Sequence, residues 1–194
     1  MTPAARRETW QPDPIGLCRD RFHRYYWAGE GPMVGVTSAI GVVDKPTVYA
    51  WAKRETAACA IRNIGHLVGM VVEGGAEAAT DWLKRIPDYR RDQAADLGAR
   101  VHIIAERIAR EQDVDVDALA LPYVNGYRRF LDDFEPRFVE LEFMVASLRH
   151  KYGGTGDAIA EIDGHMWLLD IKTGSGTYGE TALQLAAYAN ARWR

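Results

Sequence analysis

Residues 138–145 read FVELEFMV, an alternation of apolar and mostly polar side chains that gives the clearest secondary-structure signal in the chain. A period of two is that of a β-strand, in which successive side chains point to opposite faces. It places the apolar residues from Val139 to Val145 on one face and Glu140, Glu142 and Met144 on the other. The stretch therefore predicts a strand with one core-facing side and one side that carries acids.

Two further strands are predicted directly after it. The first ends at Ile162, the pair Asp163-Gly164 suits a tight hairpin turn, and residues 166–171 return antiparallel to it. A Gly/Ser/Thr loop at residues 174–177 leads to a helix from about Tyr178 to the end of the chain. The second half is therefore an antiparallel meander followed by a helix.

The first part of the chain is predicted to be largely helical. An aromatic run at residues 23–27 and the segment 34–37 predict a β-hairpin, and Pro46 precedes an Ala-rich helix. The helices are expected at residues 47–67, 76–84, 91–111 and 122–134. The predicted fold class is α/β, with a central mixed β-sheet whose antiparallel meander is flanked by helices. We expect one domain over residues 1–194, in which 1–135 form the hairpin and helical part and 136–194 form the catalytic sheet and helix.

Composition sets broad limits. At 194 residues and 47% hydrophobic, the chain can bury one substantial core, and its net charge of −3 argues neither for nor against a nucleic-acid partner. It contains no stretch of the length and apolarity of a membrane span, so we expect a cytoplasmic protein with no membrane partner. Cys18 and Cys59 lack the spacing of a zinc site or a disulfide framework.

Acidic residues recur across the predicted meander. Asp170 and Lys172 are two apart on one strand, which places them on the same face about 7 Å apart. Asp157 lies on the partner strand and Glu142 on the strand before. The apolar neighbours of Asp170 suggest a central strand buried on both faces, where a carboxylate requires a nearby cation. Such oxygen ligands suit Mg²⁺ or Mn²⁺.

His102 stands off the core stripe of its predicted helix. The stripe contains Leu97, Val101 and Ile104, while His102 shares a second face with Gly98 and other small residues. That face allows another element to approach closely.

These residues carry a family resemblance. Gly154-Thr155-Gly156-Asp157, the run LDIKTG at 169–174 and the run QLAAY at 184–188 occur in this order, with Gly98-x-x-x-His102 upstream. The chain resembles the PD-(D/E)XK nuclease superfamily, in particular the RecB-like exonucleases and their phage and CRISPR-associated relatives, over roughly residues 34–190. The segments Val36-Thr37-Ser38, Lys45-Pro46 and Trp51-Ala52 are similar to those of the phage members.

The resemblance implies a restriction-endonuclease-like core and a DNA-hydrolysing site. It implies metal ligation by His102, Glu142, Asp157, Asp170 and the main-chain carbonyl of Ile171, and it gives Lys172 a role in positioning or activating the attacking water. Gln184 and Tyr188 would contact DNA or order the metal ligands. Glu140 could replace Glu142 under a two-residue register shift.

Three departures from the family pattern qualify these expectations. The four cysteines that hold an iron–sulfur cluster in CRISPR-associated members are missing, so we expect no such cluster. Gly156 replaces a commonly apolar residue, and the sequence ends at Arg194 inside an apparent helix, as expected of a fragment or a minimal version.

The expected function is that of a Mg²⁺- or Mn²⁺-dependent deoxyribonuclease, an exonuclease of DNA recombination or repair in a bacterial or phage-infected cell. The alternatives are an inactive DNA-binding or inhibitory module that keeps the fold, and a metal hydrolase of small phosphate esters. Two further interpretations stay open. The aromatic residues 25–27 could stack on bases or lie in the core, and the basic cluster at residues 84–91 could follow phosphates or form a solvated helix end.

Overall fold

The computed structural model describes residues 16–27, 30–174 and 176–191. The strands are β1 (Leu17–Arg19), β2 (Tyr25–Trp27), β3 (Glu30–Gly35), β4 (Arg137–Ser147), β5 (Tyr152–Ile162) and β6 (His165–Leu169). The helices are α1 (Val36–Ile40), α2 (Pro46–Arg62), α3 (Ile64–Ala109), α4 (Leu121–Phe134) and α5 (Gly179–Ala189).

The strands form one mixed sheet in the order β1-β2-β3-β5-β4, and β6 also pairs with β5. The β3–β5 pair is parallel, whereas every other pair is antiparallel. The predicted α/β class with a mixed sheet and the antiparallel meander from β4 to β6 are therefore confirmed.

Strand β5 is covered unevenly along its two edges. Strand β4 pairs with it along nearly its whole length. Because a strand has only two edges, β3 and β6 must share the other one. β3 pairs there with Tyr152 and Gly153, and β6 pairs from Ala158 to Ile162. Residues 154–157 thus pair with neither strand on that edge, and Asp157 lies in this gap.

The hairpin between β5 and β6 has the predicted tight turn. Asp163 and Gly164 have φ values of 50° and 73°. Two successive positive φ values define the turn type that matches the twist of an antiparallel hairpin, and Asp and Gly tolerate them best.

The regular alternation predicted for β4 is interrupted in its first half. The register shifts between Phe138 and Glu140, and Glu142 has a φ of 52°. Val139 is consequently 46% exposed, whereas Phe143 and Val145 are buried as predicted. The prediction for Val139 is wrong because a bulge changes the face on which the following side chains lie.

Strand β6 differs from its prediction in length and position. It ends at Leu169, so Asp170, Ile171 and Lys172 lie beyond the strand. In the described part of the chain β6 pairs only with β5, and Trp167 is 53% exposed. The prediction of a central strand buried on both faces is therefore wrong. Apolar composition alone does not separate an edge strand from a central one.

Helix α3 is much longer than any predicted helix, whereas α2 ends at Arg62, five residues before its predicted end. Helix α3 covers both of the helices predicted at 76–84 and 91–111, and Pro87 lies inside it without ending it. The regular helix is interrupted at Gly75, whose φ of 79° and ψ of 169° only glycine adopts readily. At the N-terminal side, the strand predicted at 34–37 ends at Gly35, and Val36 begins α1.

The chain divides into two compact units. One contains the described residues up to Val42 and those from His102 onward, and it includes the whole sheet. The other is the helical segment Val43–Val101, within which Trp82 contacts His66 edge to face. The predicted boundary after residue 135 falls inside the first unit. No helix in the described ranges combines the length and apolar character that a bilayer crossing requires.

Among the described residues of the first unit, the core forms two clusters. One contains residues of β4, β5, α1 and α5, and the other contains residues of β1, β2, β3 and β4. Their fully buried members include Val145 and Leu17. These clusters fix the sheet and α5, which carry most of the candidate site.

Candidate metal centre

Asp157 occupies the gap in the edge of β5, where neither β3 nor β6 pairs with the strand. Its Oδ1 lies 3.1 Å from His102 Nδ1, and its Oδ2 accepts a hydrogen bond of 2.5 Å from the Ile171 main-chain N–H. Its side chain is 15% exposed. The chain that leaves β6 is therefore attached to β5 through this carboxylate.

Two glycines beside Asp157 allow bulky neighbours to pack directly on the β5 backbone. A Cβ at Gly154 would lie 2.3 Å from Cε1 of Tyr188, and one at Gly156 would lie 2.4 Å from Cζ of Phe143. Both distances are too short for any side chain. The Gly-Thr-Gly-Asp sequence thus permits α5 to approach the strand that carries Asp157.

Glu142 faces Asp157 across the β4–β5 pair. Its neighbours Leu141 and Phe143 pair with Ala158 and Gly156, which places Glu142 opposite Asp157. Burial raises the pKa of the Glu142 carboxyl, and the negative charges of Asp157 and Glu106 raise it further. Glu142 and Asp157 thus face each other as two like charges, an arrangement that a bound cation would stabilise.

His102 approaches the same point from α3. Its side chain is 30% exposed. The hydrogen bond to Asp157 raises the pKa of the imidazole, and burial opposes that rise. Since Nδ1 faces Asp157, the opposite ring nitrogen Nε2 is left for another partner.

His102, Glu142 and Asp157 together form a candidate ligand set, which we call the triad. One potential ligand atom from each residue lies within 4.8 Å of the other two. An imidazole nitrogen with two carboxylate oxygens suits a divalent cation of the first transition row as well as Mg²⁺, which accepts oxygen ligands and retains water. The donor chemistry and the carboxylate crowding both fit such an ion.

Asp170 lies in a second group beside the triad, which we call the Asp170 cluster. Its side chain is only 3% exposed, and Lys172 Nζ lies 2.6 Å from its Oδ2. Gln184 Nε2 donates to Oδ1 at 3.2 Å. Burial raises the pKa of the Asp170 carboxyl, while Lys172 opposes that shift.

The contact between Lys172 and Asp170 is an ion pair without hydrogen-bond alignment. Although the two atoms are close, the buried Oδ2 of Asp170 has no hydrogen-bond partner. A buried carboxylate oxygen in that state has lone pairs left for a cation. The Lys172 ammonium is nevertheless the cation that balances this carboxylate in the structure, so the fit of a metal rests on the triad.

Gln184 and Tyr188 lie on one face of α5, as their spacing predicts. Gln184 Nε2 also donates to the Tyr188 hydroxyl at 3.1 Å. Tyr188 is 4% exposed and belongs to the core, and burial raises its pKa to about 12. Because Tyr188 is buried and only its hydroxyl contacts Gln184, any direct contact of the pair with a ligand falls to Gln184.

The structure brings most of the predicted site residues together, with differences in detail. The triad contains Glu142 and not Glu140. Asp170 pairs with Lys172 beside the triad and is not part of its 4.8 Å set. Ile171 contacts Asp157 through its N–H, and ligation by its carbonyl stays a prediction.

Residues outside the motifs also surround the site. Burial and the charge of Asp157 raise the pKa of Tyr127, on α4, to about 12. Arg19 on β1 donates to Thr155 Oγ1 at 3.1 Å. The aromatic spacing of α4 hints at a buried face, whereas nothing near Arg19 in sequence indicates its position.

The open interpretations of the aromatic and basic segments are partly answered. Tyr25 is 7% exposed and lies in the core. Arg91 and Lys84 make ion pairs with exposed aspartates one to three residues away on the same helix. Such local pairs are typical of a solvated helix surface.

No model of a known protein family matches this sequence, and no curated protein matches it either. The PD-(D/E)XK assignment therefore stays a prediction from the motifs.

Proposed function

We propose that this chain is a metal-dependent nuclease that hydrolyses DNA phosphodiester bonds, acting on strand ends as an exonuclease. The observation that carries the proposal is the placement of the triad beside the buried Asp170–Lys172 ion pair. Phosphodiester hydrolysis needs a positioned water and positive charge around the phosphate. The triad provides ligands for a metal ion, which would bind the water, and Lys172 provides a fixed positive charge beside the phosphate.

His102, Glu142 and Asp157 would hold the ion, and the carboxylate of Asp170, which pairs with Lys172, would add negative charge beside it. Mg²⁺ or Mn²⁺ bound there would supply charge to the phosphate oxygens and make a water more acidic. Asp157 has a further function, because its hydrogen bond from the Ile171 N–H holds the segment that carries Asp170 and Lys172.

Lys172 would act on the attacking water and on the charge that develops at phosphorus. Its side chain is 39% exposed although its ammonium pairs with a buried carboxylate. It therefore reaches from the cluster toward solvent, where a substrate arrives. An ammonium is a donor only, so Lys172 orients the lone pairs of a water and does not ligate a cation.

Gln184 would contact the DNA, and Tyr188 would hold the Gln184 side chain in place. The Gln184 Nε2 donates to Asp170 and to Tyr188, and in the described part of the chain its Oε1 has no protein partner. That oxygen is free to accept from a base or a sugar. Tyr188, packed over Gly154, fixes the position of the amide.

The proposal includes the family relationship suggested by the motifs: a RecB-like member of the phage or CRISPR-associated type with a restriction-endonuclease-like core, acting in the cytoplasm. Three features support this assignment. They are the mixed sheet, the close packing of Tyr188 and Phe143 on the Gly-Thr-Gly-Asp segment of β5, and the position of Asp170-x-Lys172 after β6.

End-labelled linear DNA and closed circular DNA, each incubated with Mg²⁺, Mn²⁺ or EDTA, test the proposal. We expect loss of linear DNA from its ends with either metal, no loss in EDTA, and intact circles. Equal attack on circles would exclude the exonuclease part. DNA binding without cleavage under every metal condition would favour the alternative of an inactive binding module.

A further inference from the structure

Arg19 lies on the same face of the sheet as the triad. Its Nη1 donates to Thr155 Oγ1 at 3.1 Å, and Thr155 is two residues before Asp157 on β5. Residues two apart on a strand share a face and are about 7 Å apart. The guanidinium is thus held one step along the strand from the proposed metal ligands.

The position of Arg19 is fixed from two sides. Thr155 Oγ1 also forms a hydrogen bond of 3.0 Å with the hydroxyl of the buried Tyr25, whose ring packs against Gly153. β1, which carries Arg19, pairs with β2, which carries Tyr25. Two strands and a core tyrosine therefore hold the guanidinium, which is half-buried and not a freely moving surface chain.

The guanidinium of Arg19 carries a positive charge that no carboxylate of the described residues neutralises directly. Within the described ranges no Asp or Glu oxygen lies within ion-pair distance of its guanidinium, and its one hydrogen bond goes to a neutral hydroxyl. Its charge nevertheless reaches Glu142, whose carboxyl it stabilises in the ionised form. A half-buried arginine that uses one of its five donors is prepared for an anionic ligand.

The two neighbouring arginines, Arg21 and Arg24, make different contacts from those of Arg19. Arg24 makes a 2.7 Å ion pair with Asp20. Arg21 is exposed and stacks over Phe22, 4.7 Å from the ring centroid. Neither is anchored to β5, the strand that carries Asp157.

We propose that Arg19 binds a backbone phosphate of the DNA strand that is being cut, next to the metal site. The inference rests on the proposed function, because it takes a polynucleotide as the ligand. Arg19 presents a planar set of donors, and a phosphodiester offers two oxygens that match it. Thr155 and Tyr25 are positioning residues that set the direction of the guanidinium.

The affinity of an oligonucleotide in Ca²⁺, measured at several salt concentrations, tests Arg19 without cleavage. We expect Arg19→Ala to weaken binding about ten- to a hundredfold and to reduce the salt slope by about 0.9 on duplex DNA. Arg19→Lys should keep the slope but recover only part of the affinity, because an ammonium cannot match two oxygens. Thr155→Val should weaken binding less than Arg19→Ala, since it frees the guanidinium without removing it.

Arg21→Ala is the matched control, because it removes one positive charge two residues away. It should change neither affinity nor slope beyond a small uniform effect. Mn²⁺ affinity and melting temperature should change much less than DNA affinity in Arg19→Gln and Arg19→Ala, which separates a ligand contact from a structural role. An Arg19→Ala protein that binds DNA as tightly as Arg21→Ala overturns the inference.

Methylphosphonate linkages identify the phosphate on the wild-type protein. Each linkage removes one backbone charge, and at the contacted position the wild-type and Arg19→Ala proteins should bind equally. A difference between them that persists at every position overturns the phosphate contact. Failure of the proposed function has a different signature, since a wild-type protein that never cleaves could still show the Arg19-dependent binding, and an active enzyme could lack it.

Discussion

The triad and the Asp170 cluster are adjacent, yet they hold their carboxylates in different ways. Asp157 has both oxygens in hydrogen bonds, to His102 and to the Ile171 N–H. Asp170 is more deeply buried and relies on an ion pair with Lys172 that leaves one oxygen without a hydrogen bond. The first group is arranged as a ligand set, whereas the second places a cation at a fixed point beside it. Variants of the two groups should therefore fail differently.

The largest effect is expected from Asp157→Asn. The substitution removes the charge of a proposed metal ligand and weakens the contacts of Asp157 with His102 and the Ile171 N–H. We expect Mn²⁺ binding and cleavage to fall together, cleavage by at least about a thousandfold. Calorimetric titration measures Mn²⁺ binding, and a single-turnover assay measures the rate of cleavage. Asp163→Asn, in the turn of the same hairpin, is the control and should leave both unchanged, because Asn tolerates its positive φ.

Lys172→Ala should distinguish the role of the triad in metal binding from the role of the Asp170 cluster in cleavage most clearly. Metal binding should persist, since an ammonium is no ligand, while the rate of cleavage falls about a hundred- to a thousandfold. The buried Asp170 carboxyl would lose its counter-charge, so the pH at which activity rises should move upward. Lys172→Arg should restore little because the planar guanidinium has a different shape.

Lys84→Ala serves as the control for Lys172→Ala, because it removes an exposed lysine that pairs with Asp81 on its own helix. A wild-type rate in Lys172→Ala at saturating metal would leave Lys172 as the structural counter-charge of Asp170 alone.

A smaller effect is expected on α5. Gln184→Ala should weaken DNA affinity about tenfold, which corresponds to one hydrogen bond of about 1.4 kcal/mol, with little change in melting temperature. Tyr188→Phe keeps the ring over Gly154 and should weaken affinity less. Tyr188→Ala should instead lower the free energy of unfolding by about 3–5 kcal/mol. If Gln184→Ala binds DNA as the wild type does, the DNA contact lies elsewhere.

The smallest effect concerns the pH dependence of stability in metal-free protein. Hydrogen bonding to Asp157 raises the pKa of His102 above its unfolded value. The resulting stabilisation is fully present below about pH 6.5, the unfolded value, and is lost as the pH rises through the folded pKa. We expect less than about 1 kcal/mol, since the imidazole is partly exposed.

The contribution of His102 to the free energy of unfolding can be measured by urea unfolding in EDTA. Wild type and His102→Gln are compared at pH 6 and pH 8. The difference between the two proteins should be larger at the lower pH. A larger difference at pH 8 would contradict the assigned direction.

The sequence predicts the features that depend on neighbours along the chain. The Asp163-Gly164 turn and the alternation on either side fix the β5–β6 hairpin. The pairing of β4 with β5, which brings Glu142 opposite Asp157, is not fixed by that turn, and the sequence therefore left Glu140 as an alternative. Helical spacing likewise places Gln184 and Tyr188 on one face of α5.

What the sequence does not predict depends on distant contacts. The end of β6 before Asp170 follows from the Ile171 N–H turning to Asp157, which a local pattern cannot show. Arg19 and Thr155 are 136 residues apart in sequence, and no motif joins them. Pro87 remains inside α3 because long helical runs on both sides hold it, although a proline by itself favours a helix end.

The glycines of β5 and the acids of the triad are expected to respond to different kinds of selection. Tyr188 and Phe143 occupy the space that side chains at Gly154 and Gly156 would need, so these glycines serve folding. The Glu142 carboxylate, in contrast, fills no part of the core, and its proposed role is to bind a metal. In a library of random variants, selection for folded protein should therefore retain Gly154 and Gly156 while Glu142 drifts, and selection for cleavage should retain all three. A descendant that lost its activity would still be traceable by its glycines.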